Sequence, residues 1–442
     1  MDLLTIVKEC RACQCTDLED VVDLGNQYVV DFVKEPGNNL QAPLVLALCK
    51  NCGLLQLRHS VWRDRLYKKM WYRSGINEQM RQALREVANR AYLSVEFEPG
   101  DRVLDIGCND GTLLEQYPAF RSIQKVGVDP CKERVQEGVD AKRMEIGLVG
   151  YFGTNSTFAR LQQLGEFKVI TAVAMFYDVE DPVGFLIHCR ELLDKDGVVI
   201  IQQNYLAEML KSMAFDNISH EHLCYYSLSV MKRVIDAAGL HLAGVETNNV
   251  NGGSFRVYLT KNGKDLETPR LSHNFRMQLY TNELQMLKEE QEMQLDSVDT
   301  YRVFEHRKNE ICRVVREYLA QQMARGKRIH VYGASTRGTT TMQCLDLPET
   351  MVQHMKAAER DNQKFGLKMV GTWIPIVSEI EARKEADIFL VLPFHFFDGI
   401  KIREREFLRA GGEFVVPLPV PRVVVEDGER FLLEQLASEV IQ

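Results

Sequence analysis

The stretch Arg102-Val-Leu-Asp-Ile-Gly-Cys-Asn-Asp-Gly111 constrains the fold more than any other part of the chain. A short apolar strand ends in an acid, Asp105, and passes into a turn with glycines at 107 and 111. Twenty-four residues after Asp105, a second apolar strand, Lys125-Val-Gly-Val-Asp129, ends in another acid. A nucleoside-binding α/β sheet requires this pairing. The glycines let backbone approach a ligand and open the next helix, and the second acid can accept hydrogen bonds from ribose hydroxyls. Two glycines stand where a dinucleotide fingerprint needs three, which disfavours a nicotinamide dehydrogenase.

At 442 residues the chain exceeds one ordinary core, and about three domains are expected. A net charge of −8 opposes a general nucleic-acid-binding role, because phosphate binding needs a basic face. No apolar run of about 18 residues is present, so no membrane span is expected. The start, Met1-Asp-Leu-Leu-Thr, does not resemble a signal peptide, and eleven cysteines without a disulfide rhythm suit a reducing cytoplasm. The chain is expected to be a monomer or a weak homodimer.

Residues 1–75 read as a separate zinc-binding unit. Cys10-Arg-Ala-Cys13 and Cys49-Lys-Asn-Cys52 are two Cys-Xaa-Xaa-Cys knuckles, whose four thiolates satisfy a closed tetrahedral site. Redox or unrelated cysteines are the alternative, and Cys15 could compete with Cys13. Residues 76–265 alternate strand and helix. Strands are expected at 102–106, 125–129, 141–149, 168–174 and 197–203, near-continuous apolar runs that suit parallel strands buried on both faces. A helix starts at Asp181-Pro182 and runs to Leu193. His241 to Asn248 and Ser254 to Thr260 are then joined by Asn249-Val-Asn-Gly-Gly253, so the last strand should be antiparallel. Residues 266–325 form a helical connection, and 326–442 a second Rossmann-like α/β domain. There the strand at 328–332 enters the small-residue turn Gly333-Ala-Ser-Thr-Arg-Gly-Thr339, with donors available for an anion at a helix start.

The chemistry is expected in the inserted loop Phe215-Asp-Asn-Ile-Ser-His-Glu-His222, which leaves the ligand edge of the sheet. His220, Glu221 and His222 suit general base work, a carboxylate orienting or activating an imidazole. A metal pair or two structural histidines remain open at this point.

The turn from Asp105 through Gly107 and Asn109 to Gly111 resembles the S-adenosylmethionine (AdoMet) loop of class I methyltransferases, and a parallel sheet closed by one hairpin is their topology. The knuckles, this turn, His220-Glu-His222, Asn251-Gly-Gly-Ser-Phe-Arg256 and Gly333–Thr339 occur in one order. Together with Gly371-Thr-Trp-Ile-Pro-Ile376 and Pro393-Phe-His-Phe396, they resemble the nucleotide-sugar C-methyltransferases along essentially the whole chain. These place a methyl branch on carbon 3 of a 4-keto-6-deoxy sugar. The resemblance implies a structural zinc domain and a class I methyltransferase domain with a seven-stranded Rossmann-like sheet. It also implies a C-terminal domain that helps hold a nucleotide-diphosphate sugar, with Ser335, Thr336, Arg337 and Asn251 as its candidates. It implies His222 as base, Glu221 as its support, and Tyr72 or His220 as donor to the enolate oxygen. Tyr72 lies in Tyr72-Arg-Ser-Gly-Ile-Asn77, similar to the family's tyrosine-bearing segment. The chain departs from the pattern at Ser219, where the sugar enzymes carry a tyrosine. A zinc-containing methyltransferase acting on RNA or protein is the alternative reading, and a fold that has lost turnover is a third.

Overall fold

A computed structural model describes residues 3–433 apart from 69–70, 77, 119–121, 262, 264, 267 and 269. Asn77, which closes the tyrosine-bearing segment, lies outside the described residues. The central sheet has seven strands: β1 (Arg102–Ile106), β2 (Gln124–Asp129), β3 (Ile146–Val149), β4 (Phe167–Val173), β5 (Leu193–Asn204), β6 (His241–Asn248) and β7 (Ser254–Thr260). Their spatial order is β3-β2-β1-β4-β5-β7-β6. Neighbours from β3 through β5 are parallel, while β7 runs antiparallel to both β5 and β6. The hairpin at Asn249–Gly253 therefore reverses the chain as its glycines suggest. Val169, Ile170, Val199, Ile200 and Ile201 are fully buried, as strands covered on both faces by helices must be.

The N-terminal unit is built on Leu18–Tyr28, Gln41–Cys49 and Leu55–Leu57. A fourth strand, Cys224–Tyr225, enters this sheet from the far end of the 215–222 loop, pairing Cys224 with Gln56 and Tyr225 with Leu55. Two long helices, His273–Glu292 and Val298–Ala324, make the polar connection. The C-terminal sheet also has seven strands, in the order 376–378, 357–359, 329–332, 388–391, 413–416, 422–425 and 428–431. Its first five strands are mutually parallel, and the last two pairings are antiparallel. A two-stranded ribbon, Phe32–Val33 with Lys368–Met369, stitches the C-terminal unit to the N-terminal one. The three units thus share backbone pairings, and no helix is long and apolar enough to cross a membrane among the described residues.

Candidate active site

Two cavities meet at the carboxyl ends of the central strands. The first, of about 380 Å³, is lined by Gly107, Asn109, Asp129, Gly150, Met175 and His188, among others. Gly107 has φ +72°, and a Cβ there would come within 2.9 Å of Met175, so only glycine keeps this floor open. Gly111, at φ +75°, caps the short helix Thr112–Glu115, and a Cβ would strike Met144 at 2.8 Å. Gly111 shapes the turn without lining the cavity. Asn109, also in the left-handed region at φ +49°, donates its backbone N–H to Asp129 Oδ2 at 3.0 Å. Cys131 N–H donates to Asp129 Oδ1 at 2.8 Å. Each carboxylate oxygen has a second lone pair left for a ligand hydroxyl. Burial raises the Asp129 carboxyl above its ordinary pKa, while these two N–H groups work in the opposite direction.

Asp105 sits beneath this floor. Its carboxyl accepts from Thr171 Oγ1 on β4 at 2.6 Å, and burial pushes its pKa up to about 7. It joins two strands under the turn and is absent from the cavity wall. Asp110, passed over in the sequence, has a larger part than its surroundings suggest. It takes Gly75 N–H at 3.1 Å and Arg143 at 3.2 Å, while Asn109 takes Ser74 N–H at 3.2 Å and donates to the Tyr72 carbonyl at 3.2 Å. The tyrosine-bearing segment is therefore clamped onto the glycine turn.

The second cavity, of about 330 Å³, is lined by His222, Glu221, Tyr177, Asn251, Thr336 and Arg337, and by Asp31, Leu40 and Arg65 from the N-terminal unit. Leu66, Tyr67, Tyr72, Ala174 and Asp178 line both cavities and form their common wall. Among the described residues His222 makes one side-chain hydrogen bond: Nδ1 lies 2.7 Å from the Asn217 carbonyl. A carbonyl only accepts, so Nδ1 carries the hydrogen and Nε2 of the neutral ring has a free lone pair. Tyr177 packs against the ring at 4.3 Å between centroids. Burial lowers the imidazole pKa to about 4, opposed by the Asn217 bond and assisted by Arg337, so the ring is neutral at pH 7.

The loop is held from both sides. Asp216, 1% exposed, takes a bidentate ion pair from Arg337 at 2.8 and 2.9 Å, and Thr340 Oγ1 donates to the Ile218 carbonyl at 3.1 Å. From the N-terminal side, His220 Nε2 lies 3.0 Å from the Ala42 carbonyl, and Tyr67 Oη donates to the Glu221 carbonyl at 2.6 Å.

Three residues singled out in the sequence have partners that it did not suggest. His220 is buried against the N-terminal sheet and lines neither cavity, and its bond to the Ala42 carbonyl fastens the loop. The group orienting His222 is the Asn217 carbonyl and not the Glu221 carboxylate, whose own pKa burial lifts to about 7. Arg337 spends its fork on Asp216 and its remaining Nη1 on the Asn251 carbonyl at 2.9 Å, which leaves it little charge to offer a diphosphate. Ser335 caps the helix Thr336–Leu345 by accepting from Gly338 N–H at 3.0 Å, while Thr336 and Asn251 face the cavity. Ser219 is buried off the cavity wall, its hydroxyl without a partner among the described residues.

Cys10, Cys13, Cys49 and Cys52 bring their Sγ atoms within 4.8 Å of one another. The Cys10–Cys52 and Cys13–Cys49 separations are 3.5 and 3.6 Å. Thiolates about 2.3 Å from a tetrahedral zinc stand about 3.8 Å apart, so the set fits that ion with no position open for catalysis. Cys15 stays out of it, its sulfur accepting from Asp17 N–H.

The fold, the acid-glycine turn and Asp129 in the wall of a cavity at the strand ends define a class I AdoMet-dependent methyltransferase with an N-terminal cysteine zinc site. Three consecutive families match it: "Putative zinc binding domain" over residues 10–67, "Methyltransferase domain" over 76–244 and "C-methyltransferase C-terminal domain" over 249–419. Taken in this order, the three matches make the chain similar to C-methyltransferases built from these domains. It is 28% identical over 431 residues to the C-methyltransferase NovU of Streptomyces niveus, covering 96% of this chain and 98% of that one. The ubiquinone biosynthesis O-methyltransferase of Burkholderia thailandensis is 27% identical over 165 residues, 34% of this chain and 68% of its own. Among solved structures, the N-methyltransferase NodS of Bradyrhizobium japonicum aligns at 13% identity with a TM-score of 0.32, covering 42% of this chain and 98% of its own.

Proposed function

We propose that this methyltransferase places a methyl on carbon 3, beside the ketone, of a nucleotide-linked 4-keto-6-deoxy sugar. One observation carries the reading: a cavity at Asp129 and a cavity at His222 share a single wall, so a methyl donor in one faces a carbon acid in the other. Bound AdoMet would supply an electrophilic methyl on a sulfonium sulfur. Asp129 accepts its ribose hydroxyls, and Gly107 and Asn109 give it a close backbone floor. His222 Nε2 takes the proton from carbon 3, and the electron pair of that C–H bond passes into the ketone as an enolate. Tyr72, 46% exposed and facing both cavities, donates to the enolate oxygen. As carbon 3 bonds to the methyl, the sulfur–methyl bond breaks and the ketone re-forms; the proton on His222 leaves to solvent. Glu221 lines the same cavity and supports the polar end of the sugar. Asn251 and Thr336 approach the nucleotide side, and Arg65, exposed at the rim, offers the cation that Arg337 has committed elsewhere. The full-length likeness to a C-methyltransferase supports carbon as acceptor.

The test is to incubate the protein with AdoMet and a panel of dTDP- and GDP-linked 4-keto-6-deoxy sugars, with RNA and a protein extract in parallel. Mass spectrometry should show one methyl added to a sugar and none to the macromolecules. Methylation of RNA or protein, with every ketosugar unchanged, would overturn the reading.

A further inference from the structure

Asp178 follows β4 in a single helical turn, Phe176–Asp178, at the ligand edge of the sheet. Its side chain lines both cavities, in the wall through which a methyl would pass. No hydrogen bond or ion pair reaches its carboxyl among the described residues, and Oδ1 is buried without a partner. Other acids around the site are differently placed: Asp129 accepts two N–H groups, Asp110 meets Arg143, and Asp216 meets Arg337. An ionised carboxylate left in that wall without a cation or donor would be costly, and Glu221 nearby adds like charge. Burial accordingly pushes the Asp178 pKa well above the ordinary carboxylate range, with Glu221 acting in the same direction. A neutral carboxylic acid is a strong hydrogen-bond donor, and a carboxyl kept protonated by an apolar site can serve an oxyanion.

Building on the ketosugar reading, we propose that Asp178 is the second donor to the substrate's ketone oxygen, working with Tyr72 as charge develops there. The acid stays protonated throughout: it donates a hydrogen bond and transfers no proton, while His222 alone accepts the proton from carbon 3. Its neighbours leave it this role. Tyr67 spends its hydroxyl on the Glu221 carbonyl, and Ser219 is buried off the wall.

The experiment compares the wild type with Asp178→Asn, which keeps a donor of the same shape, and Asp178→Val, which has none. Each is assayed for sugar methylation, for deuterium exchange at the carbon beside the ketone, and for AdoMet affinity by calorimetry. Removal of one oxyanion donor commonly costs about a hundred- to thousandfold in rate. Asp178→Val should lose about that much in both methylation and exchange, with AdoMet affinity within about threefold. Asp178→Asn should stay within about tenfold of the wild type. Loss in Asp178→Asn equal to that in Asp178→Val would make the residue a proton acceptor and overturn the proposal. So would near-normal rates in Asp178→Val, or an equal collapse of AdoMet binding in both variants. A wild type that neither methylates nor exchanges any ketosugar would instead bring down the substrate reading, and this proposal with it.

Discussion

At the scale of single residues, the roles divide by what each polar atom already touches. Asp129 closes β2 and Asp105 stands next to last in β1, and both read alike in the sequence. Only Asp129 faces a cavity with lone pairs to spare; Asp105 is spent on Thr171. Asp129→Ala removes a charged acceptor worth about 1.5–3 kcal/mol, so AdoMet affinity should fall roughly ten- to hundredfold by calorimetry. Unchanged affinity would mean that the ribose is held elsewhere. His222 carries the second prediction at this scale. Its pKa is lowered to about 4 by burial, so its lone pair is free from neutral pH down to about 5 and is protonated only below that. The rate should therefore stay level from pH 7 to 5 and fall as pH drops toward 4. A fall centred near 6.5, the ordinary imidazole value, would contradict this environment. Much of this constellation was legible from residue types alone. Asp178, Asn217 and Asp110 were not, because each acts through position: past the end of a strand, as a carbonyl, or within a turn. The placement of Asp178 at the carboxyl end of β4 was the one signal available.

Strands and helices were the more legible scale. Runs of Val and Ile identified β1, β2, β4 and β5, and the Asn-Gly-Gly turn identified the reversal that makes β7 antiparallel. The strand Cys224–Tyr225 escaped notice because two residues carry no period, and its partner lies about 170 residues earlier. That pairing has a consequence. The strand Gln41–Cys49 ends in a knuckle and lies at the heart of the sheet that also takes Cys224–Tyr225. Cys49→Ser should lose zinc by metal analysis, fold poorly, and loosen the 215–226 segment to proteolysis. Normal folding with zinc retained would refute the assignment. On the other side, Arg337 and Asp216 clip the loop to the C-terminal helix. Arg337→Ala leaves a buried carboxylate uncompensated, an effect of about 3–5 kcal/mol, so Tm should drop clearly. Adding Asp216→Ala should restore part of that loss. If the double variant melts below the single one, the pair is not an isolated clip.

For the whole molecule, the arrangement is a cavity walled by all three units, with His222, the proposed base, on a loop that two of them hold. The N-terminal sheet supplies a strand partner and the Ala42 carbonyl; the C-terminal helix supplies Arg337 and Thr340. Order along the chain separates these units into tidy blocks, whereas the fold interleaves them, and no periodicity in the sequence reports that. The central claim is that His222 deprotonates the carbon beside a ketone at the wall between the two cavities. It is tested most directly by following that proton in deuterated solvent, with a nucleotide-linked 4-keto-6-deoxy sugar and S-adenosylhomocysteine in place of the methyl donor. The wild type should exchange it, and His222→Ala should exchange it about a hundred- to ten-thousandfold more slowly while still binding AdoMet normally. Exchange at the wild-type rate in His222→Ala would assign the proton to another residue and contradict the account.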